Sequence, residues 1–574
     1  MSTDVEQLAV IASPSDPTSE VVRRMAAGST RLFGLALIVD NGRLVGLVND
    51  GDVLRLLANR ADFDGPVSEV MTRDPITVSV GADEEEILTR VRSEMWERTA
   101  GAKDLVKYVP VVDGQGRVVD VVDLVRLLGS SRPHGEHVEV HGLGFVGLTL
   151  AVALASRGHV VRGIDTDVNL VEKLRRGQAH VFEPRLSEML RKGLESKSLT
   201  ITTDAPDASM RVVIVAVGTP VDHERLVDDE ALRTVVTSVG RRLRRGTLVL
   251  LRSTVPVGTT RDLVVPLLES ESTLRAGRDF HLAFTPERTV EGQAMRELST
   301  LPQIVGGFTD PCATLAANFW RTLTDSVVHV DSLEAAELVK LVNNSFRDLS
   351  FAFANGLALL ADRYNIDANA LIAAANEGYP RNRIPRPSPG VGGYCLSKDP
   401  YLYASVDVDS GHAQLASTGR EVNQQAAYYP IAVVDRYAQR VGRPVEDLRV
   451  LLIGIAFKGW PATNDVRQST ALGVLSELMM RGCEVRVFDA VVDDATIEGF
   501  GTASVDLLEG TAWADVMLIL NNHPENIPEG LLSQLREDAF LLFDGWSMLD
   551  HHEVEEYPQI TYATLGYMTP PVEP

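Results

Sequence analysis

Cys395 stands in the run PRPSPGVGGYCLSKDPYLYA, with Gly390, Gly392 and Gly393 ahead of it and Lys398 and Asp399 behind. Glycines at that density let a backbone turn through positive φ and press close to a bound ligand. A lone thiol is most often inert packing; one projecting from such a turn reads as a nucleophile. Just upstream, Arg381, Arg383 and Arg386 form a local excess of cations in a chain whose formal net charge is −24. An anionic substrate needs such a local reversal of the global field. Lys340 and Asn344, one helical turn apart, lie in LEAAELVKLVNNSFRDLSFAFANGLALLADRYN, a proline-free run with apolar residues at helical spacing. A lysine on a long helix is usually solvated, but Leu338, Val339, Leu341 and Val342 around this one are apolar.

The elements that must carry these groups are alternating strands and helices, the pattern of a doubly wound α/β sheet. VEVHGLGFVGLTLAVALASRGHVVRGIDTD reads as strand, turn, helix and strand, with Gly142, Gly144 and Gly147 in the turn and Asp165 after the second strand. In that context GxGxxG is a strong dinucleotide fingerprint: the glycines admit a pyrophosphate to a helix N-terminus, and the acid binds ribose hydroxyls. An acid there repels a 2′-phosphate, which favours NAD over NADP. Two more strand ends, VVIVAVGTPVD and TLVLLRSTVPVGTT, deliver hydroxyls and glycine to the edge where such sheets hold cofactors. A second α/β unit starts near Asp447; its first loop lacks GxGxxG and carries Lys458, Asp465, Arg467 and Ser469, groups suited to a phosphate-bearing ligand.

The first 130 residues contain a repeat. Aligning Asp52 with Asp123 places Arg55 on Arg126, and each copy reads as strand, turn, strand and helix. This resembles a pair of cystathionine-β-synthase-type (CBS) repeats, a family in which such pairs commonly bind adenine nucleotides; Asp52 and Asp123 match its ribose-holding position. The same acids would also suit a helix N-terminus with no ligand. SSRPHGE forms the linker to the α/β body.

The 574-residue length allows three or four domains. Net acidity argues against nucleic-acid binding. No apolar run approaches the roughly 18 residues of a membrane span, and MSTDVEQLAV lacks the basic n-region of a signal peptide. Three unclustered cysteines, Cys312, Cys395 and Cys483, point to a reducing, cytoplasmic setting without disulfides, and no metal site is expected.

From Val138 onward the chain resembles the UDP-glucose/GDP-mannose dehydrogenase family, the nucleotide-sugar 6-dehydrogenases. The motifs GLGFVGL, GTP, STVPVG, FTPER, EAAELVKLVNNSF, GVGGYCLSKDP and FKGWPATNDVRQS occur in family order. The resemblance implies two Rossmann-like doubly wound domains joined by a long central helix, here preceded by the α+β CBS pair. The expected divisions are 1–130 for the CBS pair and 137–325 for the NAD-binding domain. The central helical, dimer-forming and catalytic domain is expected at 326–430, and the UDP-sugar-binding domain at 445–574. It also implies an NAD-dependent, four-electron oxidation of a sugar C6 alcohol to a carboxylate, feeding polysaccharide biosynthesis, in at least a homodimer.

Residue by residue, Cys395 matches the family nucleophile, which forms a thiohemiacetal and then a thioester. Lys340 matches the lysine that orients or deprotonates the C6 hydroxyl, and Asn344 its hydrogen-bonding companion. Glu287 matches the glutamate serving the hydrolytic water, Thr254 a holder of that water or the cofactor, and Asp399 an aspartate near Lys340. For NAD the matches are Gly142, Leu143, Gly144, Phe145, Val146, Gly147, Asp165, Thr219, Ser253, Glu291 and Arg467. For the sugar nucleotide they are Arg381, Arg386, Gly390, Gly392, Gly393 and Lys458.

Several positions depart from the family pattern. Val221 replaces the second threonine of TPT, Gln468 a glutamate, and Trp460-Pro461 enlarges the loop before Arg467. The blocks around Cys395 and Glu287 are closer to the N-acetylhexosamine type, UDP-N-acetylmannosamine enzymes included, than to UDP-glucose enzymes, although Tyr394 stands where the former commonly carry histidine. Two other readings remain open from the sequence: a non-catalytic sensor on a dehydrogenase scaffold, and a simple two-electron alcohol dehydrogenase.

Overall fold

The computed structural model describes all residues except 1–7, 27–31, 33, 50–51, 54–63, 83–85, 88–89, 92–107, 124–134, 206–209, 222–226, 536–537 and 571–574. It divides into two compact units, Met1–Pro133 and His134–Pro574. No described helix is long and apolar enough to cross a membrane.

The first unit holds the repeat. Strands β1 (Val10–Ala12), β2 (Leu35–Asp40), β3 (Arg43–Asn49) and β4 (Thr72–Arg73) form one sheet; β5 (Val78–Ser79), β6 (Tyr108–Val112) and β7 (Val118–Asp123) form the other. Asn41 and Gly42, both at positive φ, close the β2–β3 hairpin with the turn their types favour. Leu35, Leu37 and Leu47 of one copy share a core with Tyr108, Val118 and Val121 of the other. Strand register corrects the alignment of Asp52 with Asp123. Asp123 pairs Tyr108 as Asn49 pairs Leu35, and both hairpins bulge four residues into their first strand. Asp123 is therefore the counterpart of Asn49, and the first copy carries extra residues before Asp52. The side chain of Asp123 and the helices expected after each hairpin fall largely outside the described residues.

In the second unit, β8 (His137–His141), β9 (Val160–Ile164), β10 (Leu199–Thr202), β11 (Val212–Val215), β12 (Leu248–Leu251), β13 (His281–Phe284), β14 (Gln303–Gly307) and β15 (Val327–Val330) form a sheet. Its order is β10-β9-β8-β11-β12-β13-β14-β15, parallel except between β13 and β14. Residues alternate between two cores: Val140, Ile214 and Leu250 face one, Val213, Val249 and Leu282 the other. Burial on both faces explains why these strands read as unbroken apolar runs.

A second sheet repeats the winding. It contains β16 (Arg449–Ile453), β17 (Glu484–Phe488), β18 (Ala503–Ser504), β19 (Val516–Ile519), β20 (Phe540–Asp544), β21 (Ile560–Thr564) and β22 (Tyr567–Met568), in the order β18-β17-β16-β19-β20-β21-β22. Five helices matter for the site: α1 (Phe145–Ser156), α2 (Leu333–Asp362), α3 (Tyr394–Ala404), α4 (Gly411–Ala427) and α5 (Thr470–Met480). Helix α2 runs for 30 residues from an N-cap at Ser332, whose hydroxyl accepts from the Ala335 N–H. It packs against α3 and α4 and meets β13–β15, so one rigid rod spans the space between the sheets.

The tightest constraint on the first βα turn is Gly147. A Cβ there would stand 1.7 Å from the Gly142 carbonyl oxygen, a backbone atom that cannot step aside. Gly147→Ala is expected to cost about 3 kcal/mol or more in urea unfolding, with loss of NAD binding; a variant as stable as the wild type would contradict this packing.

Candidate active site

Helix α1 begins at Gly144 without a side-chain cap, so its first N–H groups are left for a ligand. Gly142 sits at φ 87°, and nothing lies within 4 Å of the place where a Gly144 Cβ would be, which leaves room for a pyrophosphate. Asp165, at the end of β9, accepts the Leu143 N–H (2.7 Å) through one oxygen and the Asp167 N–H (3.0 Å) through the other. Each oxygen keeps a lone pair for a ribose hydroxyl. The cradle therefore fits NAD through backbone at residues 142–147. The side chain of Leu143 is not part of it, being buried in the sheet core. Thr219 and Ser253 also turn inward: Thr219 Oγ1 donates to the Thr254 carbonyl, and Ser253 Oγ to Val217 O (2.7 Å). They tie the β11 and β12 loops together, and Thr254 joins this tie through its carbonyl.

Cys395 is not in a loop. It is the second residue of α3, which opens at Tyr394 directly after Gly393 at φ 86°. Pro400 inside the helix concealed it in the sequence. The N-terminal position brings the positive end of the helix dipole to the thiol. Lys340 comes from α2, is 7% exposed, and its ammonium makes no hydrogen bond or ion pair among the described residues. Burial pushes the Cys395 thiol up, and Lys340 is the largest influence drawing it back. Cys395 is nonetheless reached by solvent. Solvent at the sulfur moderates the penalty of burial, and Lys340 and the helix end both act to lower the thiol. One turn along α2, Asn344 Nδ2 donates to Asp399 Oδ2 (2.5 Å), whose other oxygen accepts from Lys398 Nζ (2.8 Å). Asp399 thus fixes Asn344 and absorbs the charge of Lys398, leaving Lys340 as the uncompensated cation.

Glu287 is held more firmly than its sequence context suggested. Arg252, 1% exposed at the end of β12, donates twice to Glu287 Oε2 (3.0 and 2.5 Å), while the Arg288 and Thr289 N–H groups donate to Oε1 (both 2.6 Å). Burial works to raise the Glu287 carboxyl, but Arg252, the Thr289 N–H and Lys340 together hold it below its usual range. With both oxygens engaged, Glu287 is a fixed negative charge, and Lys340 is among the cations that lower it. Arg252 also donates to Thr285 O and Gln303 Oε1 (both 3.1 Å) and stacks on Trp320. Sequence reading missed Arg252, although an arginine ending the run LVLLR is the signal of a charge carried into the core.

The glycines before Cys395, read in the sequence as room for a ligand, are also crowded by protein. A Cβ at Gly390 would meet Ala427, at Gly392 the Gln468 carbonyl, and at Gly393 the Phe457 ring, each at 2.6 Å. Lys458 Nζ donates to Glu291 O (2.7 Å), and burial lowers it to about 8. Glu291 accepts from Thr463 Oγ1 (3.0 Å) and lies 3.8 Å from Arg467, whose guanidinium grips Asp465 and stacks over Tyr394. These contacts lay the loop carrying Trp460-Pro461 against the loop after β13. Arg381 and Arg386 are exposed. In the first unit, the Asp52 carboxylate is buried and accepts from the Asn49 N–H (2.8 Å) and Thr72 Oγ1 (3.3 Å).

Comparison with known proteins gives this arrangement its relatives. The profiles of the UDP-glucose/GDP-mannose dehydrogenase family match residues 136–324 (NAD binding domain), 334–425 (central domain) and 451–551 (UDP binding domain); the CBS-domain profile matches 1–59 and 67–131. The UDP-N-acetyl-D-mannosamine dehydrogenase of Pyrococcus horikoshii is 33% identical over 390 residues, covering 68% of this chain and 90% of that protein. The solved structure of the P. horikoshii enzyme aligns with a TM-score of 0.68 at 30% identity, over 75% of this chain and 99% of that one. The UDP-N-acetyl-mannosamine dehydrogenase of Staphylococcus aureus aligns at 0.64 and 28%, over 75% and 98%.

Because the Glu287 carboxyl is held below its ordinary 4.5, its stabilisation is present above pH 4.5 and lost as pH falls through the folded value. Arg252→Leu strands that carboxylate, and urea unfolding at pH 7 is expected to show a loss of about 3–5 kcal/mol. The gap should narrow towards pH 5, as the stranded carboxyl takes up a proton. A gap that does not change with pH would refute the pairing.

Proposed function

The chain belongs to the UDP-glucose/GDP-mannose dehydrogenase family of NAD-dependent nucleotide-sugar dehydrogenases, and we propose that it oxidises a UDP-N-acetylhexosamine of the N-acetylmannosamine type at C6 to the uronate. The observation that carries the chemistry is the buried, unpaired ammonium of Lys340, acting on both Cys395 and Glu287. NAD, when bound on residues 142–147 and Asp165, accepts a hydride from C6 at each of the two oxidations.

The chain's own groups do the rest. Lys340 and Asn344 hold the C6 oxygen, and Lys340 stabilises the charge that develops on it. The Cys395 sulfur adds to the aldehyde carbon, and its proton passes to the carbonyl oxygen, giving a thiohemiacetal. Loss of the second hydride from C6, with the hydroxyl proton given up to solvent, leaves a thioester. Water then adds to the thioester carbon, the C–S bond breaks with its pair returning to sulfur, and the carboxylate leaves. The negative charge of Glu287 keeps Lys340 oriented throughout. A scaffold that only sensed ligand would have no use for a desolvated lysine facing a thiol at a helix N-terminus, and a two-electron dehydrogenase would have no use for the thiol.

The reading extends to assembly and regulation. Leu338, Val342, Phe346, Phe353 and Leu360 form an exposed apolar stripe along α2, with Phe346 73% and Phe353 63% exposed. Such a stripe is suited to a second copy of the chain, and the exposed Arg381 and Arg386 would serve an anionic substrate. The CBS pair would take an adenine nucleotide and modulate the body.

With UDP-N-acetylmannosamine, the enzyme is expected to form two NADH per uronate, and Cys395→Ala to make no acid; full acid formation by that variant would sink the assignment. Phe346→Glu with Phe353→Glu should give a monomer by light scattering with the secondary structure retained, and an unaltered dimer would contradict the interface. Titrating AMP and ATP against melting temperature and rate should shift both, while indifference to both nucleotides would remove the regulatory reading.

A further inference from the structure

Beyond Asn344, the same face of α2 carries two more buried polar residues, Asp348 and Asn355, neither of which touches the reacting groups. Asp348 is 0% exposed and Arg420, on α4, is 5% exposed. Arg420 Nη1 donates to Asp348 Oδ1 (2.6 Å), and both terminal nitrogens donate to the Val391 carbonyl (3.3 Å each). Asn423 Nδ2 donates to Asp348 O (3.1 Å) and Oδ1 (2.9 Å), and its own oxygen accepts from Asn355 Nδ2 (2.8 Å). Asn355 Oδ1 accepts the Ser388 N–H (2.8 Å), and Ser388 Oγ donates to Gly390 O (2.7 Å). Four buried side chains from two helices thus end on the segment Ser388–Val391, immediately ahead of Cys395. Its far side is fastened by Thr470 Oγ1 to Pro389 O (2.8 Å) and by the Gly393 N–H to Gln468 O (3.2 Å).

Stability is a poor reason for such a pair. Two buried charges lose hydration that their attraction barely returns, and a well-packed apolar pair of similar volume is often as stable. This pair is also incompletely satisfied: Asp348 Oδ2 and Arg420 Nε, both buried, find no hydrogen-bond partner among the described residues. What the charges add is direction. A guanidinium fork fixes an acceptor in two dimensions, and the acceptor it fixes here is four residues from the thiol.

We propose that Asp348 and Arg420 are a positioning pair that clamps the Val391 carbonyl, and through it the Gly392–Cys395 turn, so that the thiol captures the aldehyde before it escapes. The inference rests on the reading of Cys395 as nucleophile. A thiol displaced by about 1 Å loses roughly 10²-fold in the capture step, while Lys340, placed by α2 itself, and the cofactor cradle still support the first oxidation. The signature is therefore a change in partition, with free aldehyde appearing and NADH per sugar falling from two towards one.

The test uses the full-length enzyme with NAD and UDP-N-acetylmannosamine, an aminooxy reagent to trap aldehyde, and iodoacetamide to time the alkylation of Cys395. Arg420→Lys keeps the charge but not the fork; Asp348→Asn keeps the acceptor oxygen and serves as the conservative variant. Arg420→Lys is expected to release trapped aldehyde, to slow acid formation by about 10-fold or more, and to leave KM for NAD within about twofold; Asp348→Asn should stay near wild-type partition. Two NADH per sugar and an unchanged alkylation rate in Arg420→Lys would overturn the proposal. A drop in melting temperature without any change in partition would overturn it equally, since that is what a merely structural pair would show. Cys395→Ala run alongside separates the two readings: uronate from that variant would condemn the nucleophile assignment itself, whatever the pair does.

Discussion

A single helix face sets the geometry of the whole site. Glu337, Lys340, Asn344, Asp348 and Asn355 recur along α2 at helical spacing, and each side chain except Lys340 is committed to a different part of the site. Glu337 accepts from the Gly258 and Thr260 N–H groups and from Thr260 Oγ1, pinning the loop that follows β12. Asn344 meets Asp399 beside the thiol, Asn355 accepts the Ser388 N–H of the glycine segment, and Asp348 holds Arg420, which reaches that segment at Val391. Because a helix changes length only by breaking its own hydrogen bonds, these attachments share one ruler. Lys340, the residue on that face without a partner, is left pointing its charge at the chemistry.

Charge inside the site is arranged by subtraction. Lys398 is cancelled by Asp399, and Arg252 is spent on Glu287 and the carbonyl of Thr285. What remains is one cation near the thiol and one carboxylate held ionised behind it. Low polarisability around those two charges makes each count for more than it would in water. The helix end at Cys395 adds in the same direction as Lys340. A site built this way is ready for negative charge on an oxygen or a sulfur before any ligand arrives.

Much of this was legible in the sequence, and the parts that were not share a cause. Gly142, Gly144, Gly147 and Asp165 were readable because a phosphate turn allows few residue types. Lys340 and Asn344 were readable because their spacing fell within one apolar helical run. Arg252, Asp348 and Arg420 were not, since a charged residue in a sequence looks solvated until its partner, often far along the chain, is known. The helix at Cys395 was masked by glycines before it and Pro400 within it. The glycines read from the sequence as room for a ligand, and the structure adds a second reason for them, the crowding by Ala427, Gln468 and Phe457 that only distant parts of the chain reveal. In the first unit, equal spacing of acids suggested equivalent sites, but strand pairing put Asp123 opposite Asn49's position because the first copy has extra residues after its hairpin.

The central claim is that Lys340, left unpaired, is what draws the Cys395 thiol towards its anion. The rate of iodoacetamide alkylation of Cys395 against pH, in the wild type and in Lys340→Met, tests it without any sugar nucleotide. The account predicts that the midpoint of the wild-type curve moves upward in the variant, with the limiting rate at high pH unchanged. Superimposable curves would contradict it.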